Sequence, residues 1–396
     1  MERKDIVCHA FPSWRGDYVK STIQIMKEIA VNHNVLYVDY AYSWKDILVN
    51  SFKNRYIPVA RVLGVKNPIE TVNLENGGLL HVLSLPPVIP FNWISSPRFY
   101  SIIQKLNLKL LKGRVNRAMR KLGIGSPVVI NAFNPHFGFE SVKVFSPALT
   151  VYYCYDNIDA ANWASKHGSR LEKEFIENAE ALIFTSDELA KGKASGKANA
   201  HVINNGVDLT IFDRESVNDD ALSEDEKIII GYVGSVDDRI DYDLISAMAT
   251  QRPGWNFHFI GRITGNFHMK LASLPNVTFF GPMPYSDLPG IIKGFTVGII
   301  PFVKNEFTRN IYPMKANEYL AMGIPVVATD FADLFDLSRV VKSVDAGKFL
   351  QTIENEIANN SIQQVSERKA VARSNSWKAK AKMFTEILDK YAERNQ

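Results

Sequence analysis

Cysteine and long apolar segments are the features that this 396-residue chain has least of. Its two cysteines, Cys8 and Cys154, both lie in short apolar runs that predict buried strands. Two such thiols exclude the disulfide framework of a small secreted domain and a cysteine-based metal cluster. The longest apolar runs, such as residues 294–303, are too short to span a bilayer, and residues 1–11 lack the apolar core of a signal peptide. We therefore expect a cytoplasmic protein.

Acidic residues are missing from one long part of the chain, between Glu75 and Glu140. The formal net charge of +4 therefore conceals an asymmetry, because residues 1–212 carry 25 Lys and Arg against 18 Asp and Glu, a balance of +7, which leaves −3 for the remainder. A hydrophobic content of 46% with 22% charged residues is typical of a soluble globular protein. The length exceeds that of one ordinary core and predicts two domains.

The acid-free region predicts a basic amphipathic helix. Its cations are Arg98, Lys105, Lys109, Lys112, Arg114, Arg117, Arg120 and Lys121. Its apolar residues at helical spacing are Phe99, Ile102, Ile103, Leu106, Leu110 and Leu111. Phe91, Trp93 and Ile94 precede them, and we expect the two aromatic side chains to be exposed. Such an element is typical of a protein resting on an anionic membrane. The alternative is a solvated helix whose apolar stripe packs on its own domain. Nucleic acid is disfavoured, because no recognised binding motif accompanies the charge.

The order of the predicted elements indicates an α/β protein. Apolar strands alternate with helical patterns, which predicts parallel sheets with helices on both faces. We expect a first domain over residues 1–213, an acidic and polar linker over 214–227, and a second domain over 228–375. A last helical pattern covers residues 376–396.

The segment from Asn310 to Asp330 carries the clearest functional pattern. Pro313 suits the first turn of a helix, and the free amides near Lys315 then direct their dipole at an anion. Glu318 lies three residues further on, so its carboxylate can reach sugar hydroxyls beside a phosphate. A turn at residues 323–325 leads directly into the apolar strand VVAT. We therefore predict a nucleotide site, with a solvated helix glutamate as the alternative for Glu318.

This segment resembles the P-x-K-x-x-E-Y-L-A-x-G-x-P-V-V signature of the group 1 glycosyltransferases with the GT-B fold. The likeness extends to residues 177–190, 203–213, 231–245 and 276–302. It implies two doubly wound Rossmann-like domains that face across a cleft, with the acceptor bound by the first and the nucleotide sugar by the second. It also implies a last helix that crosses back to the first domain, and a ribose contact for Glu318.

Asn310 departs from the family pattern. Many retaining members carry two glutamates separated by seven residues, and Asn310 stands where the first would be. Neither retaining chemistry nor the usual contacts with the donor hexose can therefore be transferred to this chain.

Further donor contacts are expected where strands of the second domain end. Glycine there lets the backbone approach a diphosphate, with a purely structural turn as the alternative, and Arg262 can pair with its oxygens. Met283 and Pro284 follow a strand at which, as the resemblance implies, the nucleotide base is held. Lys304 faces the same crevice, with a merely solvated lysine as the alternative. Besides Lys315 and Glu318, the predicted donor-binding residues are Gly234, Ser235, Arg262, Met283, Lys304, Tyr312 and Met314.

Catalysis is expected without a metal or any cofactor besides the nucleotide diphosphate sugar. No D-x-D-like pair is placed for a metal, so helix N-termini and cations must stabilise the leaving diphosphate. An inverting enzyme needs a base in the first domain. Asp156 and Asp17 are the best placed, with His9 and His136 in reserve. The alternative for each is a side chain that only makes structural hydrogen bonds.

The expected function is hexosyl or glycuronosyl transfer from a UDP-linked sugar to a lipid-linked or nascent cell-surface polysaccharide. We expect the enzyme to work peripherally on the inner face of the cell membrane. The loop at residues 11–21 and the motif spacing are similar to those of teichuronic acid glycosyltransferases and the xanthan glucuronosyltransferase group. Two alternatives remain open: a nucleotide-sugar 2-epimerase of the same fold, and a non-catalytic partner protein, which Asn310 makes a real alternative.

Overall fold

The computed structural model describes residues 3–16, 19–50, 56–160, 166–213 and 227–394. The predicted linker at 214–227 therefore lies outside the described residues, except for its last one. The chain divides into two compact units, Met1–Asn204 with Lys380–Gln396, and Asn205–Ala379.

The first unit is built on an eight-stranded sheet with the order β3-β4-β2-β1-β5-β6-β7-β8. The strands are β1 (Asp5–Ala10), β2 (Asn34–Val38), β3 (Ile69–Asn73), β4 (Leu79–Leu83), β5 (Val128–Ala132), β6 (Leu149–Cys154), β7 (Ala181–Phe184) and β8 (Ala200–Val202). All pairs are parallel except β3 with β4. Strands β5, β6 and β7 are buried along their whole length, as the continuous apolar runs of parallel sheets require. The strand order reverses between β1 and β5.

The helices of the first unit connect these strands. They are α1 (Ser21–Ile29), α2 (Val59–Val62), α3 (Pro97–Lys121), α4 (Gly168–Asn178) and α5 (Asp187–Ala194). Shorter turns of helix cover Asp46–Asn50, Phe139–Phe145 and Ile158–Ala160.

The second unit is built on a six-stranded parallel sheet with the order β11-β10-β9-β12-β13-β14. The strands are β9 (Ile229–Val233), β10 (Asn256–Ile260), β11 (Val277–Gly281), β12 (Val297–Ile300), β13 (Val326–Thr329) and β14 (Val341–Val344). The helices are α6 (Leu209–Phe212), α7 (Tyr242–Gln251), α8 (Leu288–Ile292), α9 (Met314–Ala321), α10 (Ala346–Ala358) and α11 (Ile362–Ser374), with short turns at Phe267–Leu271, Tyr285–Asp287, Thr308–Asn310 and Phe335–Leu337. The order reverses between β9 and β12. The predicted α/β class with two doubly wound sheets is thus confirmed.

The last helix, α12 (Trp377–Arg394), belongs to the first unit from Lys380 onward. The Phe384 ring meets Tyr153 edge to face, with 5.5 Å between centroids. Further along the helix, Lys4 Nζ lies 2.5 Å from Asp389 Oδ1. Helix α12 from Lys380 onward is therefore part of the first unit's packing.

Helix α3 presents two different apolar faces. One face is buried against its own unit and includes Tyr100, Leu111 and Val115. The other leaves four apolar side chains in solvent at helical spacing: Phe99, Ile102, Leu106 and Leu110, which are 65%, 53%, 47% and 50% exposed. The expectation that Phe91 is exposed is wrong, because its ring packs 4.8 Å from Tyr100 and only 5% remains accessible. Trp93 is exposed as expected, at 71%.

Candidate donor and acceptor sites

Helix α9, which contains the signature, is fixed to the sheet of the second unit by Tyr319. The Tyr319 ring is fully buried, and its hydroxyl accepts a hydrogen bond from the Val233 amide at 2.7 Å. A side chain at Gly298 would collide with this ring, because a Cβ there would lie 2.5 Å from Tyr319. Since Val233 ends β9, the contact places α9 at the carboxyl edge of the sheet, at the strand where the order reverses. Ligands of doubly wound sheets bind at this position.

The first turns of α9 hold a buried ion pair. Lys315 Nζ lies 2.7 Å from Glu318 Oε2 and 3.0 Å from Oε1, and the Tyr285 hydroxyl donates to Oε1 at 3.3 Å. Only 1% of Glu318 is exposed. Burial raises the pKa of Glu318, and the Lys315 ammonium opposes the shift. The signature thus supplies both partners of the pair.

Tyr285 and Asp208 complete this cluster and were not predicted. Burial, together with the Glu318 and Asp208 carboxylates, raises the pKa of Tyr285. The Lys315 ammonium lies 5.4 Å from the centre of the Tyr285 ring. Tyr285 follows β11, so its position just beyond a strand end was the available signal. The cluster offers a hydroxyl, an ammonium and a carboxylate close together.

The ends of β9 and β10 approach so closely that glycine is required. A Cβ on Gly261 would lie 1.8 Å from the Gly234 carbonyl oxygen. The Gly234 N–H donates a hydrogen bond to Ile260 O at 2.9 Å, and the role of Gly234 at the donor stays a prediction. Ser235 lies at the same edge, and its carbonyl accepts from the Tyr232 hydroxyl at 2.9 Å.

The other predicted donor residues occupy different settings. Arg262 is exposed just beyond β10, and Met283 is half-buried against the core of the second unit. Lys304 is exposed after β12 and pairs with Asp330 Oδ2 at 2.7 Å. Met314 is the first residue of α9.

Tyr312 has a structural position. Its ring is buried, and its hydroxyl donates to Asp336 Oδ2 at 2.7 Å. This contact fixes the Tyr312 side chain just before α9, and its role at the donor stays a prediction. Asn310, in place of the family carboxylate, donates from Nδ2 to Glu306 O at 2.7 Å.

The predicted catalytic residues of the first unit follow its strands. Asp156 is half-buried just beyond β6, and its Oδ1 accepts from the Asn157 amide at 2.8 Å. Asp17 lies outside the described residues. His9 and His136 are both buried, and burial lowers the pKa of each to about 4. Both imidazoles are therefore neutral at pH 7.

Asp39 is a carboxylate that sequence reasoning missed. It follows β2, is 1% exposed, and accepts at Oδ1 from the amides of Trp14 and Tyr40, both at 2.8 Å. Its Oδ2 is buried without a hydrogen-bond partner, and burial raises the pKa of the group. The signal was its place at the end of the apolar run NVLYV.

No group of three or more His, Cys, Asp or Glu side chains in the described ranges is arranged to hold a metal ion. No described helix is both long and apolar enough to cross a bilayer.

Known proteins share the signature region and the fold. Residues 227–361 match the family described as Glycosyl transferases group 1. A Bacillus subtilis (strain 168) protein, TuaH, named as a candidate teichuronic acid biosynthesis glycosyltransferase, is 26% identical over 232 residues, which are 55% of this chain and 58% of that protein. The chain thus spans little more than half the length of that relative.

Two solved structures resemble the chain over nearly its whole length. Sucrose-phosphate synthase from Thermosynechococcus elongatus has a TM-score of 0.68 and 16% identity, covering 98% of this chain and 99% of its own. HepE from Anabaena, solved with UDP and glucose, has a TM-score of 0.64 and 14% identity, covering 98% and 100%. At such identities the likeness establishes the fold alone.

Residues 227–361 are thus similar to the group 1 glycosyltransferases, and the two Rossmann-like units have the GT-B fold, as the signature predicted.

The two buried histidines lead to a prediction about stability. Because the unfolded chain takes up a proton at His9 near pH 6.5 and the folded one only near pH 4, the free energy of unfolding should fall as the pH drops between these values. His9→Gln should reduce that slope by up to about 1.4 kcal/mol per pH unit, as measured by urea unfolding at pH 7, 6 and 5. The control variant is Phe145→Leu, since the Phe145 and His9 ring centroids lie 5.5 Å apart. It should lower the free energy of unfolding but keep its original slope with pH. Equal slopes for the original protein and His9→Gln would contradict the assignment.

Proposed function

We propose that this protein is a glycosyltransferase that moves a hexosyl or glycuronosyl unit from a UDP-linked donor to a lipid-linked or nascent cell-surface polysaccharide. The observation that carries the proposal is the buried Glu318 and Lys315 pair at the carboxyl edge of the second unit's sheet. It lies inside the region matched by the group 1 family. The UDP nucleotide is supported by HepE, which was solved with UDP and glucose.

The donor roles follow from the charges at the site. Glu318 accepts hydrogen bonds from the ribose hydroxyls, and the Tyr285 hydroxyl beside it supports the same carboxylate. Lys315, whose side chain is 23% exposed, can turn from Glu318 toward the diphosphate. With Arg262 and the amides that begin α9, it stabilises the leaving group electrostatically, without a metal or further cofactor.

The base that activates the acceptor belongs to the first unit. Asp156, just beyond β6, is our proposed base, with Asp17 as the other candidate. Asp39 is less suitable, because one of its oxygens is already bound by two amides and the whole group is buried. A base opposite the departing diphosphate suits inverting transfer, in keeping with Asn310 at the position of the retaining carboxylate.

The acceptor class is inferred from helix α3. Exposed apolar residues in a row are costly in water, and larger exposed patches mark interaction surfaces. On α3 the exposed row lies beside the exposed cations Arg98, Lys105, Lys109 and Lys112. An anionic membrane surface satisfies both the apolar and the cationic side chains. Peripheral binding to the inner face of the cell membrane would place the enzyme beside a lipid-linked acceptor. The relative TuaH supports a cell-surface polysaccharide.

The experiment that tests sugar transfer is incubation of the protein with a panel of UDP-sugars, with and without a lipid extract as the source of acceptor. Transfer predicts UDP release that rises with the extract and a sugar-labelled lipid product. A sugar converted to its 2-epimer without extract would establish the epimerase instead. Binding without any turnover under either condition would establish the non-catalytic alternative.

Glu318 provides the sharpest test of the donor site. Glu318→Gln should weaken UDP binding by roughly 1.5 to 3 kcal/mol, because a charge-assisted hydrogen bond to ribose is lost; titration calorimetry measures this. Glu356→Gln is the matched control, since Glu356 is also a buried carboxylate of the second unit with a cation beside it. Its Oε2 lies 3.6 Å from Arg368 Nη2. It should bind UDP normally. Unchanged affinity in Glu318→Gln, or equal losses in both variants, would refute the ribose contact.

The membrane proposal is tested by charge replacement. Replacing Lys105, Lys109 and Lys112 with Gln should reduce binding to vesicles containing phosphatidylglycerol, by about 1 kcal/mol for each lysine near the surface, and should make the residual binding less sensitive to salt. Cosedimentation measures both.

The matched control for the membrane test replaces three exposed lysines of the second unit with Gln: Lys293, Lys348 and Lys378. It changes the net charge by the same amount as the α3 variant. The control should bind vesicles like the original protein, and both variants should bind UDP. Equal vesicle binding by all three proteins, or none by any, would leave α3 as a solvated helix and favour a soluble acceptor.

A further inference from the structure

A pocket of about 270 Å³ lies in the first unit, and the predicted base Asp156 is not among its lining residues. Its walls come from three segments, residues 40–46 after β2, residues 88–93 after β4, and residues 134–137 after β5. Strands β2 and β5 flank β1, and β4 lies beyond β2, so the pocket lies at the carboxyl edge where the strand order reverses between β1 and β5. Ligands of doubly wound sheets bind at such a position.

The chemistry of the pocket wall is mixed in a specific way. Four aromatic rings, Tyr40, Phe91, Trp93 and Phe137, stand among polar side chains that include Asn92 and Asn134. A pyranose has the matching surface, an apolar face of C–H groups surrounded by hydroxyls. The volume is at the lower limit of small-molecule pockets, which begin at roughly 300 Å³. It therefore suits one sugar residue.

The wall is held in place by hydrogen bonds. Asn107 of α3 is fully buried and exchanges two bonds with Ile89, accepting from its amide at 2.9 Å and donating to its carbonyl at 3.0 Å. The second segment is joined to the first by a bridge between Ser43 and Val88. Burial, with the Asp46 carboxylate, raises the pKa of Tyr40 to about 12, so its hydroxyl stays protonated at neutral pH.

Trp93 is an exposed ring that is nevertheless fixed. It is 71% accessible, yet its indole Nε1 donates to Pro90 O at 3.2 Å and its carbonyl accepts from Lys166 Nζ at 2.6 Å. A ring already held in position loses little conformational freedom when a ligand stacks on it. Trp93 also precedes Pro97, where α3 begins with its exposed apolar residues. A sugar at Trp93 and a lipid along α3 are therefore compatible within one molecule.

We propose that this pocket binds a single sugar residue of the acceptor, with Trp93 stacked on the apolar face of the ring and Asn92 and Asn134 bound to its hydroxyls. The identification of that sugar as the acceptor's rests on the proposed function; the binding of a sugar does not. His136, in the same wall, is uncharged at neutral pH, and the wall also contains one side chain of each charge, Lys45 and Asp46.

The test uses methyl glycosides of glucose, N-acetylglucosamine, N-acetylgalactosamine and glucuronic acid, with saturation-transfer NMR as the readout and UDP present to fill the donor site. At least one glycoside should bind the original protein. Trp93→Ala should weaken that binding about tenfold, because the aromatic face is lost. Trp93→Phe, which keeps an aromatic ring, should retain most of the original affinity. Phe335→Ala, which removes an 82% exposed ring from the second unit, should have no effect. Because Trp93 is exposed, its replacement should not unfold the protein. An unchanged thermal unfolding temperature will show that each variant is folded.

The outcomes separate the two proposals. No binding of any glycoside, or equal binding by Trp93→Ala and the original protein, would overturn the pocket assignment even if UDP-sugar turnover is observed. Glycoside binding that depends on Trp93 in a protein without UDP-sugar turnover would support the pocket and overturn the proposed transfer.

Discussion

The ion pair between Lys315 and Glu318 is the interaction on which the site of the second unit depends. A carboxylate that is 1% exposed is unstable as an ion unless a cation or several donors compensate its lost hydration. Lys315 supplies that cation from one turn of the same helix, and Tyr285 adds a hydrogen bond from another segment. The buried carboxylate therefore needs Lys315 for its stability. Because Lys315 is partly exposed, it can also leave Glu318 for another anion, so the pair is a preformed polar site.

Helix α9 holds this pair at the sheet because its other residues are committed to packing. Tyr319 is bound to the end of β9, and Asn317 donates to Asn205 O at 3.0 Å while accepting from Asn375 at 3.2 Å. These buried polar contacts leave few alternative positions for the helix. Helix α3 of the first unit shows the opposite case, since one of its faces is fixed in the core and the other leaves Phe99 and its apolar neighbours in solvent.

The sequence predictions were accurate for features set by neighbouring residues and inaccurate for features set by contacts between distant segments. The helix at Pro313, the turn at Gly323 and the strand after it follow from residues next to one another, and the structure contains all three. Exposure of Phe91 was predicted wrongly, because its burial depends on Tyr100 and Phe137, which other segments bring to it. The hydrogen bond from the Gly234 N–H to Ile260 O also joins two neighbouring strands, so the residues next to Gly234 in sequence do not reveal it.

The sequence by itself determined the class of fold, the nucleotide signature with Glu318 and Lys315, and the basic character of α3. Periodicity, charge and helix ends depend on neighbours along the chain, so these features are visible without a structure. Only the tertiary structure decided that Tyr285 joins Glu318, that Asp39 is buried with an unpaired oxygen, and that Trp93 lines a pocket. Each of these depends on distances between segments far apart in sequence, which are fixed when the strands assemble and their side chains pack.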